Sequence, residues 1–251
     1  TTEVARAQPD GYTLLFGNTS TQVLLPVLMP KPPYDPLRDF TPIYILCVSP
    51  TVIVVHESVP ARSLRELIAY AKANPGKLSY GSAGTGTLTN LAGELFKQLI
   101  GAPDIVHIPY KGSAPGVADL AAGHIPMMTP NVGGPLLDFH RSGRVRILAV
   151  AHDTRLKAAP EIPTAIEAGL PGMVAANFNG LIAPAGLPKP IVDMLAVATR
   201  KVMADAEFQK VLGTSGFEPT ADSGPEQAQR LISSELARWT PIMKATNFKI
   251  E

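Results

Sequence analysis

Leu78-Ser79-Tyr80-Gly81-Ser82-Ala83-Gly84-Thr85-Gly86-Thr87-Leu88-Thr89-Asn90 reads as a strand, a glycine-rich turn and the opening of a helix. Leu78 to Tyr80 is short and apolar, Gly81 to Gly86 is too glycine-rich for a regular element, and Leu88 to Leu99 carries an amphipathic stripe. The same alternation returns on both sides. Upstream, Thr41 to Cys47 and Pro50 to Val55 are strands rich in Ile and Val. Ser63 with Glu66 forms a capping box for a helix carrying Leu64, Leu67, Ile68 and Ala71, which Asn74-Pro75-Gly76 ends. Downstream follow a strand Ile105 to Tyr110, a helix Ala114 to Ala122, and strands Ile125 to Met128 and Ile147 to Ala151. Strands alternating with helices predict an α/β fold with a mainly parallel sheet flanked by helices.

Beyond this block the pattern thins. Tyr12 to Phe16 reads as a buried strand after the Asp10-Gly11 turn, and Gly17-Asn18-Thr19-Ser20 leads into a helix near Gln22–Leu25. The stretch Pro30 to Pro36 lacks too many backbone donors to be regular. Phe178 to Ala183 is a further strand, and helices are predicted over Pro188 to Ala204, Ala206 to Leu212 and Pro225 to Thr246. Two strand crossings set off a unit of about 125 residues, near a usual domain size. The expected organisation is residues 1–52 with 178–251 in one lobe and 53–177 in the other, joined by hinge strands.

Composition removes several function classes. Among 251 residues, 22 basic against 21 acidic give a net charge of +1, which offers no general pull toward nucleic acid or an anionic membrane. Apolar residues make up 45%, enough for a proper core, with no apolar run long enough to span a bilayer. Cys47 is the only cysteine, so neither a disulfide framework nor a cysteine-built metal site is expected. His56, His107, His124, His140 and His152 show no metal spacing and no acidic partner one helical turn away, so no metal and no cofactor is expected. Trp239 falls on the apolar face of the last helix, where core packing explains it.

The glycine-rich turn is the main candidate site. Gly81, Gly84 and Gly86 let the backbone approach a ligand closely, and the following helix N-terminus offers unpaired donors with a partial positive charge. Ser82, Thr85, Thr87 and Thr89 add hydroxyls, which together suit an anion. A bland reading competes: a tight turn in which Thr87 or Thr89 only caps the helix. Nucleotide signatures fail, because Gly86 is followed by Thr87 rather than lysine and Thr89 stands where the dinucleotide fingerprint needs a small residue. Ser82 also lacks the upstream glycine of a nucleophile elbow. Two weaker candidates are Lys111-Gly112-Ser113, equally readable as a solvated lysine with a Ser113 N-cap, and Asn131 with Gly133 and Gly134. All three loops would lie at the carboxyl ends of strands, where open α/β sheets collect ligands.

Several blocks in order resemble the extracytoplasmic solute receptors of tripartite tricarboxylate transporters, the Bug (Bordetella uptake gene) family. They are Asp10 to Leu15, Tyr34-Asp35 through Asp39-Phe40-Thr41-Pro42-Ile43, Leu78 to Thr89, His107 to Pro115, Phe178 to Leu181 and Ala183 to Gly186, spread over essentially the whole chain. The resemblance implies a two-lobed periplasmic binding protein type II fold that closes on a small carboxylate in an interlobe cleft. It implies a periplasmic, monomeric receptor serving transporter membrane subunits or a sensor. By matching position it assigns Ser82, Ala83, Gly84, Thr85, Gly86 and Thr87 to one carboxylate loop and Thr19 and Ser20 to the facing lobe, with Asn131 and Phe178 lining the cleft. It also implies an N-terminal strand, a Gly-Gly loop ending in Asp and a helix ahead of Thr1, so a partial sequence is expected. Pro130 stands where relatives place an aspartate, which favours a ligand without a positive charge. The competing expectation is a serine-dependent hydrolase or transferase using Ser82 or Ser113, which needs a histidine within about 3 Å. The effector half of a transcription regulator would require an N-terminal helix-turn-helix, and the chain starts instead just before a strand.

Overall fold

A computed structural model describes residues 1–220 and 222–245. The chain divides into two compact units. One comprises Thr1–Val48, Asn177–Gly213 and the described residues from Phe217 on; the other comprises Ser49–Ala176 with Thr214–Gly216.

The first unit opens with α1 (Thr2–Ala5), β1 (Leu15–Asn18), a π-helical turn Ser20–Leu24, α2 (Leu25–Leu28) and β2 (Phe40–Pro50). The strand expected at Tyr12 starts later. The Asp10 carboxylate accepts the Tyr12 N–H at 2.9 Å, which prolongs the turn and leaves Tyr12 93% exposed. In the turn after β1, Asn18 and Thr21 bond reciprocally. Asn18 N–H donates to Thr21 Oγ1 at 3.0 Å, and Thr21 N–H donates to Asn18 Oδ1 at 3.1 Å. The backbone is thereby wound into a π turn where an ordinary helix was expected. Such turns are rare and often sit at functional sites.

The second unit contains β3 (Val52–His56), α3 (Leu64–Ala73), β4 (Ser79–Ser82), α4 (Leu88–Ile100), β5 (Val106–Pro109), α5 (Ser113–Ala121), β6 (Met127–Met128), α6 (Gly134–Arg141) and β7 (Val145–Val150). Its sheet order is β5-β4-β6-β3-β7. Ser63 caps α3 by accepting the Glu66 N–H at 3.2 Å, while the Glu66 carboxylate reaches back to Arg62 N–H at 2.8 Å, one residue earlier than the usual box. Helix α6 has no counterpart in the sequence reading, because Gly133-Gly134-Pro135 resembles a loop although proline suits a first helical turn.

The chain then runs through β8 (Ala176–Pro184), α7 (Lys189–Met203), α8 (Ala206–Thr214), β9 (Glu218–Pro219) and α9 (Pro225–Ala245), all but the start of β8 and the last residue of α8 within the first unit. The first unit's sheet order is β1-β8-β2-β9. Trp239 is fully buried and donates its indole N–H to Glu235 at 3.1 Å. Thr246, the expected last residue of this helix, and the other chain-end residues of the expected lobe lie outside the described residues.

The sheets are mixed rather than mainly parallel. β4 runs parallel to β5 and to β6, whereas β3 runs antiparallel to β6 and β7, β1 to β8 and β2 to β9. The cause in the second unit is connectivity. The chain comes in and leaves at one end, where Thr51 N–H donates to Ala175 O at 2.9 Å, so inward and outward strands oppose each other. The same bonds draw Ser49 to Val52, expected in the first lobe, into the second unit, where Asn131 bridges Thr51. The core of this unit gathers Val52, Val54, Leu120, Ile125, Met128 and Leu136, all nearly inaccessible. Tyr44, Ile43, Ala183 and Met203 do the same for the first unit.

Candidate functional site

Tyr80 and Ser82 alternate along β4 and therefore share one face of the sheet. His107 pairs with Tyr80 across the parallel β4–β5 ladder, so its ring lands on the same face. The two rings stack with centroids 4.9 Å apart. From there His107 Nε2 reaches Ser82 Oγ at 2.7 Å. Tyr80 itself is fully buried, and its hydroxyl meets Glu94 Oε1 at 2.7 Å and Asn90 Nδ2 at 2.7 Å. Lys97 closes the chain of contacts with an ion pair to Glu94 at 3.0 Å. Burial, first, and then the Glu94 carboxylate push the Tyr80 phenol far above its ordinary range, so it stays a neutral donor. Burial likewise holds the His107 imidazole below its ordinary value of 6.5, partly opposed by Glu94 and reinforced by Lys97.

The loop above this network is braced from within. Ala83 N–H donates to Thr89 Oγ1 at 2.9 Å, Gly84 N–H to Ser82 Oγ at 3.1 Å, and Gly86 N–H to Asn90 Oδ1 at 3.1 Å. Thr87 Oγ1 donates to Gly84 O at 2.7 Å and also accepts the Asn90 N–H, capping α4. Positive φ at Gly84 (134°) and Gly86 (78°) makes this path accessible to glycine at little cost. The second candidate loop joins in: Tyr110 N–H donates to Ser82 O at 3.0 Å and Gly112 N–H to Ala83 O at 2.9 Å. Gly112, not Ser113, is the N-cap of α5, and Lys111 is exposed.

Most of the expected amide donors are thus already used. Among the described residues, the backbone N–H groups of Thr85, Leu88 and Thr89 have no partner, and the Thr85 side chain is exposed. Ser82, by contrast, is completely buried. Asn131 donates its Nδ2 to Ser49 O at 2.9 Å, which ties strands together. In the first unit Thr19 is buried and its hydroxyl accepts the Phe178 N–H at 3.0 Å, Ser20 is half-buried, and the Phe178 ring lies in the core at 2% exposure. Gln22, in the same π turn, is buried with neither amide atom partnered among the described residues.

Three residues have contacts that the sequence alone does not display. Asn90 reads as the end of the glycine-rich loop where its helix opens, and its side chain binds both the loop and Tyr80. His107 meets Tyr80 and Ser82 across the β4–β5 pair, which spacing along the chain does not display, while Glu94 on α4 reaches both Lys97 one turn on and Tyr80 on β4. The alternation Tyr80–Ser82 was the available signal. Among the described residues no group of His, Cys, Asp or Glu could hold a metal ion, and no helix is long and apolar enough to cross a membrane.

The described chain is thus two α/β units, one carrying a braced glycine-rich loop at a helix N-terminus. Residues 1–248 match the family described as tripartite tricarboxylate transporter family receptor (TctC), and the chain belongs to that family. It is 32% identical to the protein BugT of Bordetella pertussis over 252 residues, covering 100% of this chain and 76% of BugT. Among solved structures, it resembles an adipate-bound protein of R. palustris at 32% identity and a TM-score of 0.87, covering 99% of this chain and 82% of that one. It also resembles MatC of Rhodopseudomonas palustris with bound malate, at 30% identity and a TM-score of 0.83, covering 96% and 82%.

Proposed function

We propose that this chain is a periplasmic receptor that captures a small carboxylate reversibly and delivers it to the membrane components of a tripartite tricarboxylate transporter. The observation that carries the reading is the set of unspent donors at the start of α4. The N–H groups of Thr85, Leu88 and Thr89 and the Thr85 hydroxyl belong to the start of α4, where the helix dipole favours an anion. The adipate and malate held by two similar proteins are anions of this kind. Ser82, Ala83, Gly84, Gly86 and Thr87 serve as the frame that holds these donors, and Thr19, Ser20, Asn131 and Phe178 are further proposed site residues. The lobes are taken to be the two units, and capture needs no covalent chemistry.

Thermal-shift measurements with adipate, malate and other small carboxylic acids test this. At a concentration a hundred times Kd, a bound acid adds about 2.7 kcal/mol of stability and raises Tm by several degrees. Thr85→Ala should weaken binding of that acid by about 1.5 kcal/mol, roughly tenfold, since an exposed hydroxyl contributes at the low end for hydrogen bonds to charge. A panel in which no acid shifts Tm would sink the carboxylate reading.

The serine-enzyme alternative keeps one supporting observation, the 2.7 Å contact between His107 and Ser82. Against it, Ser82 is fully buried and its oxygen is engaged with the Gly84 backbone on both sides. Among the described residues no carboxylate hydrogen-bonds His107, so the acidic third member of a catalytic triad is not in place. We therefore expect a fluorophosphonate probe to leave the protein's mass unchanged. A covalent adduct on Ser82 would overturn the non-enzymatic reading.

A further inference from the structure

The contact that would make an enzyme has another use. Ser82 Oγ accepts the Gly84 N–H at 3.1 Å, stands 3.2 Å from Gly84 O, and meets His107 Nε2 at 2.7 Å. One hydroxyl thus links the turn of the glycine-rich loop to a single titratable ring. Glu94 and Lys97, both from α4, are the charged groups acting on that ring; from β4 it faces Tyr80 and Ser82, neither of them charged. The glutamate and the lysine are themselves an ion pair, so a proton on His107 adds a charge that they do not cancel.

We infer that His107 is a positioning residue that couples proton uptake to anion capture by the Ser82–Thr89 loop. The neutral ring can accept the Ser82 hydroxyl proton on Nε2. The imidazolium cannot, so its Nε2–H donates to Ser82 Oγ, and the hydroxyl proton turns to Gly84 O, which already accepts from Thr87 Oγ1. Both ends of the Gly84 peptide environment then hang on Ser82. A positive charge also lies beneath the loop, where it favours a carboxylate. By linkage, the bound carboxylate must raise proton affinity at His107 by the same factor. Because burial keeps the free ring below its ordinary value of 6.5, the response falls on the acid side of neutrality.

For its binding consequence the inference rests on the carboxylate reading, so the test has two arms. In the ligand-free protein, the Gly84 amide resonance should titrate with the midpoint of the His107 ring, and Ser82→Ala should abolish that correlation while His107 still titrates. In the second arm, Kd for adipate or malate is measured by calorimetry from about pH 7.5 to about pH 5.5, where simple carboxylates stay mostly ionised. It should fall about fivefold on acidification, and stay flat in His107→Gln, whose side chain can donate to Ser82 but cannot titrate. A Gly84 resonance that ignores His107 overturns the inference whatever binds. So does an acid whose Kd is unchanged or higher at low pH. If Gly84 follows His107 and neither acid binds at any pH, the coupling of ring to loop stands and the carboxylate reading fails.

Discussion

Gly93→Ala is expected to lower the unfolding free energy by about 3 kcal/mol, at the upper end for an overpacked core. Helix propensity argues for the opposite sign. Gly93 sits inside α4, where alanine is normally better by about 1 kcal/mol. Packing decides against it, because a Cβ at Gly93 would enter the Tyr80 ring. That ring has nowhere to go. It is fully buried, its face is stacked on His107, and its hydroxyl is held by Glu94 and Asn90. Relief must come from moving α4 off the sheet, which carries the capped start of the helix and the loop donors with it. Urea denaturation measures the loss. In a Tyr80→Leu background the clash disappears, so the same glycine substitution should be neutral or stabilising there. If Gly93→Ala alone raised the unfolding midpoint, the close contact between helix and ring would be wrong.

That contact shows what a sequence can and cannot disclose. Period 3.6 in Leu88, Leu91, Ala92, Leu95 and Phe96 marks the buried face of α4, and each of these is indeed inaccessible. Glycine, serine and threonine types between Gly81 and Thr89 point to a turn rich in donors, and such a turn is present. What the pattern does not contain is how those donors are spent. Thr89 satisfies Ala83 and Asn90 satisfies Gly86, so donors counted from composition exceed those left for a ligand. Strand direction is equally silent. The continuous apolar run Val52–Val55 reads the same whether β6 and β7 run with it or against it, hence the expectation of a mainly parallel sheet. The π turn after Asn18 depends on a reciprocal pair with Thr21, which looks like any polar loop. His107 had no visible partner because register between β4 and β5, not spacing along the chain, brings it to Tyr80 and Ser82.

Asn90→Ala should be nearly as costly, about 2–3 kcal/mol, and should also weaken carboxylate binding. The side chain is completely buried and serves both neighbours at once. Its Oδ1 accepts the Gly86 N–H at 3.1 Å, and its Nδ2 donates to the Tyr80 hydroxyl at 2.7 Å. Truncation leaves the Gly86 N–H buried without an acceptor, at about 1–3 kcal/mol for such a group. The Tyr80 hydroxyl fares better, since it can still donate to Glu94 at 2.7 Å. The larger consequence is geometric. Gly86 lies between Thr85 and the first turn of α4, so freeing its amide lets the unspent donors on either side turn independently. A preorganised anion site then becomes one whose ordering the ligand must offset, which weakens binding. Hydrogen exchange separates this from a general loss of stability. The Gly86 amide should lose protection by far more than amides of β3 and β7 in the same unit. Equal losses everywhere would mean that Asn90 only supports the fold. Retained carboxylate affinity in a folded Asn90→Ala protein would mean that the loop is not the site.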